Sequence, residues 1–382
     1  MISIKSKLPH IGTTIFTVVS QRAKELGAIN LAQGFPDYDP PPRLREILAE
    51  QMQRGHHQYA PMAGAPELRE QIAHKYRARY GLSCDAEREV TITLGATEGV
   101  FSAIQALVHT DEEVIILDPS YDSYAPAVLL AGGRPIHIPL QLPGFTIDWQ
   151  KVRDALSGRT RLIIINSPHN PTGAVIGAAD LDTLAALLRD TEVLVLSDEV
   201  YEHMVFDGAA HASVCGHPEL LERSVAVYSF GKTLHATGWR VGYTIAHAPL
   251  TTEIRRVHQF NTFAIAHPLQ IAIAQFLREH PGHSESLGAF YQGKRDFFLN
   301  ALRDSRFSWR PSAGTFFQLL DFSAISSESD VDFAERLLRE AGVAAIPVSP
   351  FYAAPIRLSV VRFCIAKQDA TLAAAAERLS KM

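Results

Sequence analysis

Residues 161–201 read RLIIINSPHNPTGAVIGAADLDTLAALLRDTEVLVLSDEVY, and this segment gives the clearest indication of the fold class. Its two apolar runs, Arg161–Asn166 and Glu192–Ser197, are short and rich in Ile, Leu and Val. This pattern is typical of strands in a sheet that is covered on both faces. The segment between them includes Ala178–Arg189, which has the composition and length of a helix. A strand, a helix and a second strand in this order predict a parallel βαβ unit.

The same alternation extends outward from this unit in both directions. Further strands are predicted at Val90–Leu94, Glu113–Leu117, Arg134–Pro139, Ser224–Ser229 and Arg240–Ala246. Further helices are predicted at Thr97–Val108, Tyr121–Ala131 and Asp148–Leu156. This order of elements predicts an α/β domain with a largely parallel sheet.

The pattern changes at about Pro249, and helical periodicity dominates from there to Asp304. The remaining chain alternates again, with a strand at Gly314–Leu320, a helix at Asp330–Ala341, a strand at Val360–Ile365 and a helix at Gln368–Leu379. These elements predict a second, smaller unit of the α+β class.

The composition is that of a folded, mildly acidic protein. Of its 382 residues, 47% are hydrophobic and 20% are charged, which excludes disorder as the main state. The formal net charge of −5 gives no support for a nucleic-acid partner or an anionic membrane surface. The three cysteines form no CxxC motif, which argues against a disulfide framework and a structural zinc site. Because no export signal or membrane span is recognisable, we expect a soluble, cytoplasmic protein.

Four motifs lie at strand ends or helix starts of the predicted sheet: Gly95-Ala-Thr97, Ser167-Pro-His-Asn-Pro-Thr-Gly173, Ser197-Asp-Glu-Val-Tyr201 and Ser229-Phe-Gly-Lys232. Taken alone, each has an ordinary explanation as a turn, a capping residue or a solvated lysine. Together they converge, because the carboxyl ends of parallel strands lie at one edge of a sheet. A lysine that forms a Schiff base, an aspartate that faces a pyridine nitrogen and a helix start that binds phosphate are what pyridoxal 5′-phosphate (PLP) requires.

Eight motifs in order along the chain resemble those of the class I/II aminotransferases of PLP fold type I. They are Gln33-Gly-Phe-Pro-Asp37, Gln58-Tyr-Ala-Pro61, Asp118-Pro-Ser-Tyr-Asp-Ser-Tyr124, Asn170-Pro-Thr-Gly173, Ser197-Asp-Glu-Val-Tyr201, Ser229-Phe-Gly-Lys232, Gly238-Trp-Arg-Val-Gly242 and Arg362-Phe-Cys-Ile-Ala-Lys367. Within that superfamily they resemble the kynurenine/glutamine transaminase-like group, and in it the bacterial methionine aminotransferases. The resemblance covers nearly the whole chain.

The resemblance implies an α/β fold, the PLP-dependent transferase fold of type I. Its large PLP-binding domain would hold a mostly parallel seven-stranded sheet and span residues 45–280. A small α+β domain would combine residues 1–44 with residues 281–382. The resemblance also implies a homodimer in which Tyr59 reaches the phosphate bound by the neighbouring subunit, so that assembly is required for catalysis.

The resemblance also assigns cofactor contacts. Lys232 would carry PLP as a Schiff base and move a proton between the substrate Cα and C4′. Asp198 would pair with the pyridine nitrogen, Tyr201 and Asn170 would bond the phenolic oxygen O3′, and Tyr121 would stack on the ring. The phosphate would be bound by five residues, the last from the neighbouring subunit: Ala96, Thr97, Ser229, Arg240 and Tyr59.

Substrate contacts follow from the same resemblance. Arg362 would bind the α-carboxylate as a bidentate fork, helped by the Gly34 amide and Asn170. Three aromatic residues would lie near the substrate side chain, although each also fits an ordinary core position: Phe16, Phe35 and Phe263. No second arginine is evident in the pocket motifs, so a dicarboxylate such as aspartate is less favoured. An aromatic pocket suits the thioether of methionine, but phenylalanine, tyrosine, histidine, glutamine or kynurenine would also fit, with a 2-oxo acid as acceptor.

Other functions fit these motifs less well. Ser229-Phe-Gly-Lys232 has the S-x-x-K form of a serine acyl-enzyme, but the accompanying S-D-N and K-T-G motifs are missing. A P-loop would need glycine where Ala226 stands, and the sixteen histidines include no H-E-x-x-H metal motif. A ligand-sensing regulator would need room for a DNA-binding domain before Gln33. A kynurenine/glutamine transaminase with cysteine-conjugate β-lyase activity remains the alternative, because it would use the same lysine and aspartate.

Overall fold

A computed structural model describes residues 4–382 as a large sheet with helices on both faces, joined to a smaller α+β part. The helices are α1 Ile15–Glu25, α2 Pro42–Gln53, α3 Pro66–Tyr80, α4 Gly95–Leu107, α5 Tyr124–Leu130, α6 Trp149–Ala155, α7 Ala178–Leu188, α8 Phe230–Thr233, α9 Ala248–Asn261, α10 His267–Glu279, α11 Leu287–Ala301, α12 Asp330–Arg336 and α13 Asp369–Leu379. The strands are β1 Ile29–Asn30, β2 Val90–Thr93, β3 Glu113–Asp118, β4 Arg134–Pro139, β5 Thr160–Asn166, β6 Leu194–Asp198, β7 Ser224–Ser229, β8 Gly242–Ala246, β9 Phe317–Asp321, β10 Val343–Ala344, β11 Ile346–Pro347 and β12 Val360–Cys364.

The large sheet has seven strands in the order β2-β8-β7-β6-β5-β3-β4. All neighbours are parallel except that β8 runs antiparallel to both β2 and β7. The prediction of an α/β fold with a mostly parallel seven-stranded sheet is therefore confirmed. Every residue of β3, β6 and β7 is buried, which explains why these strands are almost continuously apolar.

The smaller part contains a three-stranded antiparallel sheet in the order β11-β12-β9. Next to it, β1 near the N-terminus pairs in parallel with β10 from the C-terminal third of the chain. The N-terminal segment thus packs with distant residues, and Leu31 belongs to the same apolar cluster as Val361 and Phe363. The division at residues 45 and 280 stays a prediction.

Several element boundaries differ from the predicted ones. The helix predicted at Tyr121–Ala131 begins only at Tyr124, because residues 121–123 form a turn at the edge of the sheet. The strand predicted from Arg240 begins at Gly242, because Arg240 has a φ of 55° and cannot join a strand. The strand predicted at Gly314–Leu320 is Phe317–Asp321.

Other elements were not predicted. The first three helices had no place in the predicted alternation, although each of them packs an apolar face on the core. The helix predicted at Asp330–Ala341 is regular only to Arg336 and continues as a π-helical turn.

Among residues 4–382, no helix has both the length and the apolar character needed to span a membrane.

Candidate active site

A cavity of about 270 Å³ opens where the carboxyl ends of β5, β6 and β7 meet the start of α4. Segment Gln33–Phe35, Phe16 and residues of the smaller part close its other side. All but two of the residues predicted for the site line this cavity: Phe16, Gly34, Phe35, Ala96, Thr97, Tyr121, Asn170, Asp198, Tyr201, Ser229, Lys232, Arg240 and Arg362. The convergence expected at one edge of the sheet is thus present in the structure.

Lys232 projects into the cavity from α8, a four-residue helix that directly follows β7. Its Nζ donates a hydrogen bond to the Gly34 carbonyl at 3.1 Å and lies 5.1 Å from the Phe316 ring centroid. Burial lowers the pKa of Lys232 to about 8, and the Arg240 and Arg362 charges act in the same direction. More of the amine is therefore neutral near pH 7 than in an ordinary lysine, and the neutral form is the one that acts as a nucleophile.

Asp198 ends β6, and its carboxylate is buried beside the lysine. Its Oδ2 accepts a hydrogen bond from the Tyr124 hydroxyl at 2.7 Å, and its Oδ1 accepts one from the Val200 amide at 3.3 Å. Burial raises the pKa of Asp198 to about 6, while the Tyr124 hydrogen bond opposes this rise. Such a carboxylate can hold a proton on a ligand nitrogen placed against it.

The start of α4 forms a cradle around the Ala96 and Thr97 amides. A Cβ added to Gly95 would lie 2.6 Å from Arg240 Nη2, and one added to Gly242 would lie 2.7 Å from the Ala96 nitrogen. Both glycines are therefore needed for the guanidinium and the helix start to approach each other. Backbone amides at a helix N-terminus, next to an arginine, suit a phosphate group.

Arg362 comes from β12 and is fully buried. Its Nη1 donates to Asn170 Oδ1 at 2.6 Å and its Nη2 donates to the Ala32 carbonyl at 2.9 Å. Its guanidinium carbon lies 3.9 Å from the Phe317 ring centroid, while its Nε has no hydrogen-bond partner among residues 4–382. Burial lowers the pKa of Arg362 to about 10, so it stays cationic at neutral pH. A buried cation with a free donor suits a substrate carboxylate.

Two tyrosines complete the walls of the cavity. Tyr201 is buried, its ring lies edge-on to Phe316 at 5.1 Å, and burial raises its pKa well above the ordinary value of 10.0. The ring of Tyr121 lies 5.7 Å from that of Tyr124 in an edge contact. Burial raises the pKa of Tyr121 as well. Both hydroxyls therefore stay protonated and act as neutral hydrogen-bonding groups.

The structure does not bring Tyr59 and Phe263 into the cavity of their own chain. Tyr59 is 81% exposed and Phe263 is 50% exposed, and their rings touch edge-on at 5.2 Å. Their predicted roles at the site stay predictions.

Sequence reasoning also missed residues that the structure places at the site. The cavity wall includes Gln33, Val100, Asn166, Val200, Thr237 and Phe317. Asn166 donates to the Asp198 carbonyl at 2.8 Å and accepts from the Asn170 amide at 2.7 Å, so it joins two of the loops. Tyr124 could have been predicted from the sequence, because it is the last residue of the motif Asp118–Tyr124, which also contains Tyr121.

The residues present fit PLP. A buried amine, a buried carboxylate and a glycine-lined cradle lie around one cavity, and Arg362 Nε offers a donor to a substrate. This constellation defines a PLP-dependent aminotransferase of fold type I. The chain belongs to the family described as "Aminotransferase class I and II", which matches residues 27–379. The recognised family, the enzyme class and the cofactor, pyridoxal 5′-phosphate, are thereby confirmed.

Individual relatives give finer detail. The chain is 51% identical over 378 residues to methionine aminotransferase of Escherichia coli K12, covering 99% of this chain and 98% of that protein. It is 33% identical to mouse kynurenine–oxoglutarate transaminase 1, covering 94% and 92% of the two chains. The solved structure of E. coli YbdL, described as having a methionine aminotransferase function, superposes with a TM-score of 0.97 at 50% identity and covers all of both chains.

Proposed function

We propose that this enzyme transfers the α-amino group of methionine, and of aromatic or other large neutral amino acids, to a 2-oxo acid. The observation that carries the proposal is the 51% identity, over 99% of the chain, to a methionine aminotransferase. The aromatic lining of the cavity supports it, because Phe16, Phe35 and Phe317 lie along its wall and contacts between a thioether and aromatic rings are favourable.

The cofactor and the protein side chains supply different parts of the proposed chemistry. When bound, PLP supplies an electron sink that stabilises negative charge at the substrate Cα. In our proposal Lys232 Nζ would hold the cofactor and would be the base that moves a proton between the substrate Cα and C4′. The Asp198 carboxylate would hold a proton on the pyridine nitrogen. Tyr201 and Asn170 would bond O3′, and Tyr121 would stack on the ring.

The remaining groups orient the reactants. The amides of Ala96 and Thr97, with Ser229 and Arg240, bind the phosphate. Arg362 binds the substrate carboxylate, assisted by the Gly34 amide and Asn170. The bonds from Arg362 to Asn170 and to the Ala32 carbonyl fix the guanidinium plane before substrate arrives, which lowers the entropic cost of orientation.

We also propose a homodimer in which Tyr59 and Phe263 serve the neighbouring subunit's site. Their exposure and their mutual contact outside their own cavity support this arrangement. Mixing Tyr59→Phe subunits with Lys232→Ala subunits tests it. If Tyr59 acts across the interface, each hybrid dimer regains one intact site, and a random equal mixture recovers about a quarter of wild-type sites. Recovery of no activity beyond that of the unmixed parents would contradict the exchange.

A single-turnover screen tests the reaction itself. Holoenzyme is mixed with one amino acid at a time, and the cofactor absorbance is followed without an acceptor. Methionine should react rapidly, and Lys232→Ala should not turn over. If methionine does not react while kynurenine or glutamine reacts rapidly, the kynurenine/glutamine transaminase function replaces the methionine one. Release of pyruvate and ammonia from a cysteine conjugate, with no acceptor present, would reveal β-lyase activity.

We further propose that the enzyme works in the cytoplasm. The three free cysteines support a reducing compartment, since thiols persist there. Cell fractionation with an activity assay tests this location.

A further inference from the structure

Segment 32–35 forms the substrate side of the cavity and is held by three cationic side chains, of which Arg362 and Lys367 are buried. Three of its backbone carbonyls accept hydrogen bonds from such side chains: Ala32 from Arg362 at 2.9 Å, Gly34 from Lys232 at 3.1 Å and Phe35 from Lys367 at 2.7 Å. The first two cations already have roles at the site. The third, Lys367, has none.

Lys367 is a buried cation without a counter-charge. It is 3% exposed and forms no ion pair within residues 4–382. Two other shielded lysines do have acid partners, Lys75 with Glu202 and Lys294 with Asp369. Asp37 lies two residues beyond this segment, but its carboxylate accepts from the Gln368 amide and the Thr371 hydroxyl instead. A buried charge of this kind is costly and calls for a compensating purpose.

The Lys367 charge acts on the cavity through Phe35. Its Nζ lies 4.6 Å from the Phe35 ring centroid, within the range of a cation–π contact. Phe35 itself lines the cavity and is 40% exposed. The Lys367 ammonium already lies against the Phe35 ring and offsets the negative potential of the ring face. A second cation that approaches Phe35 from the cavity is therefore repelled by the Lys367 charge. A neutral, polarisable group meets no such barrier.

We propose that Lys367 sets the charge specificity of the amino-acid substrate: it holds Phe35 in place and makes the side-chain subsite reject cationic side chains such as those of ornithine and lysine. The inference rests on the proposed function and names its substrate class. Lys367 acts here as a positioning residue, because Phe35 lies between it and the substrate.

The test compares norleucine with ornithine, which differ by a terminal methyl and an ammonium group of similar size. Lys367→Met removes the charge and keeps the length, whereas Lys367→Arg keeps the charge. Lys381→Met is the matched control, because it makes the same change at an exposed lysine paired with Glu377. We expect the norleucine-to-ornithine ratio of kcat/KM to fall at least about tenfold in Lys367→Met only. If Lys367→Met changes both substrates by the same factor, its role is structural and the proposal is wrong.

A binding measurement with a second variant, Lys367→Gln, keeps the test decisive if Lys367→Met does not fold, because glutamine is neutral but keeps a donor for the Phe35 carbonyl. Hexanoate, 5-aminopentanoate and glutarate present a methyl, an ammonium and a carboxylate at the same distance from the group that binds Arg362. Lys232, Arg240 and Arg362 also place positive charge in the cavity, so the preference is compared between the wild type and Lys367→Gln, which changes only the Lys367 charge. Calorimetry on the two apoproteins should show the preference for glutarate over 5-aminopentanoate falling about tenfold in Lys367→Gln, and an unchanged preference would overturn the proposal. If the proposed function itself is wrong, the result is different: the holoenzyme shows no half-reaction with methionine or with norleucine.

Discussion

Replacing Tyr124 with phenylalanine removes one hydrogen bond from the residue at the centre of the proposed chemistry. The Tyr124 hydroxyl donates to Asp198 Oδ2 at 2.7 Å, and both groups are buried. The phenylalanine ring fills the same space, so the packing against Asp198 is preserved. The change therefore tests one interaction, which favours the ionised form of the carboxyl group.

The size of the effect follows from the energy of that bond. A hydrogen bond to a charged group contributes about 1.5–3 kcal/mol, and one pKa unit corresponds to about 1.4 kcal/mol. Its loss should raise the pKa of Asp198 by roughly one to two units. From the wild-type value of about 6 this leads to about 7 to 8. At pH 7 most of the wild-type carboxyl is ionised, whereas half or less of the variant carboxyl would be.

Carbon-13 NMR of the aspartate carboxyl groups in the apoprotein measures this titration directly, with Asp198→Asn assigning the signal. Tyr121→Phe is the matched control, because it removes the hydroxyl of a neighbouring tyrosine that makes no hydrogen bond to Asp198. In the holoenzyme, PLP affinity at pH 7 should fall in Tyr124→Phe. An unchanged Asp198 titration in Tyr124→Phe, or an equal shift in Tyr121→Phe, would refute the reasoning.

Three further predictions concern other parts of the site. Arg362→Lys should raise KM on the order of a hundredfold and leave PLP affinity unchanged, because lysine cannot form the bidentate fork; equal losses of both would contradict this role. The rate of PLP attachment to the apoprotein should rise with pH through about 8, since only the neutral Lys232 amine reacts; a rise continuing toward 10.5 would mean an unperturbed lysine. Gly242→Ala should weaken PLP binding and lower Tm, because its Cβ would lie 2.7 Å from backbone atoms, whereas Gly238→Ala has open space and should do neither.

The part of the site that follows the strands could be predicted from the sequence, because local patterns place it. Asp198 and Lys232 stand at or just beyond the ends of apolar strands, and parallel strands bring such ends together. Asn170 lies in the loop after β5 for the same reason. The order of strands in the sheet was not needed for this argument. Arg362 was different, since no local pattern links it to Asn170 across 192 positions, and only the family resemblance identified it.

The parts that sequence reasoning missed depend on contacts between distant segments. Phe317 faces Arg362 at 3.9 Å, but its own stretch predicts only a strand. Lys367 was quoted within a motif, yet its burial and its bond to Phe35 follow from packing across 332 positions. The helices before residue 81 were missed because the α/β alternation begins only at β2. Propensity and periodicity describe neighbours along the chain, whereas these features arise from tertiary packing.

The two sides of the cavity come from different parts of the chain, and we propose that one side binds the cofactor and the other binds the substrate. The proposed cofactor contacts come mostly from the edge of one sheet, whereas the substrate contacts come from segment 32–35 and β12. Lys232 joins the two sides through its hydrogen bond to the Gly34 carbonyl. The bonds from Arg362 to Ala32 and from Lys367 to Phe35 do not involve that amine. Segment 32–35 therefore keeps two of its three hydrogen bonds to these cationic side chains when Lys232 changes partner.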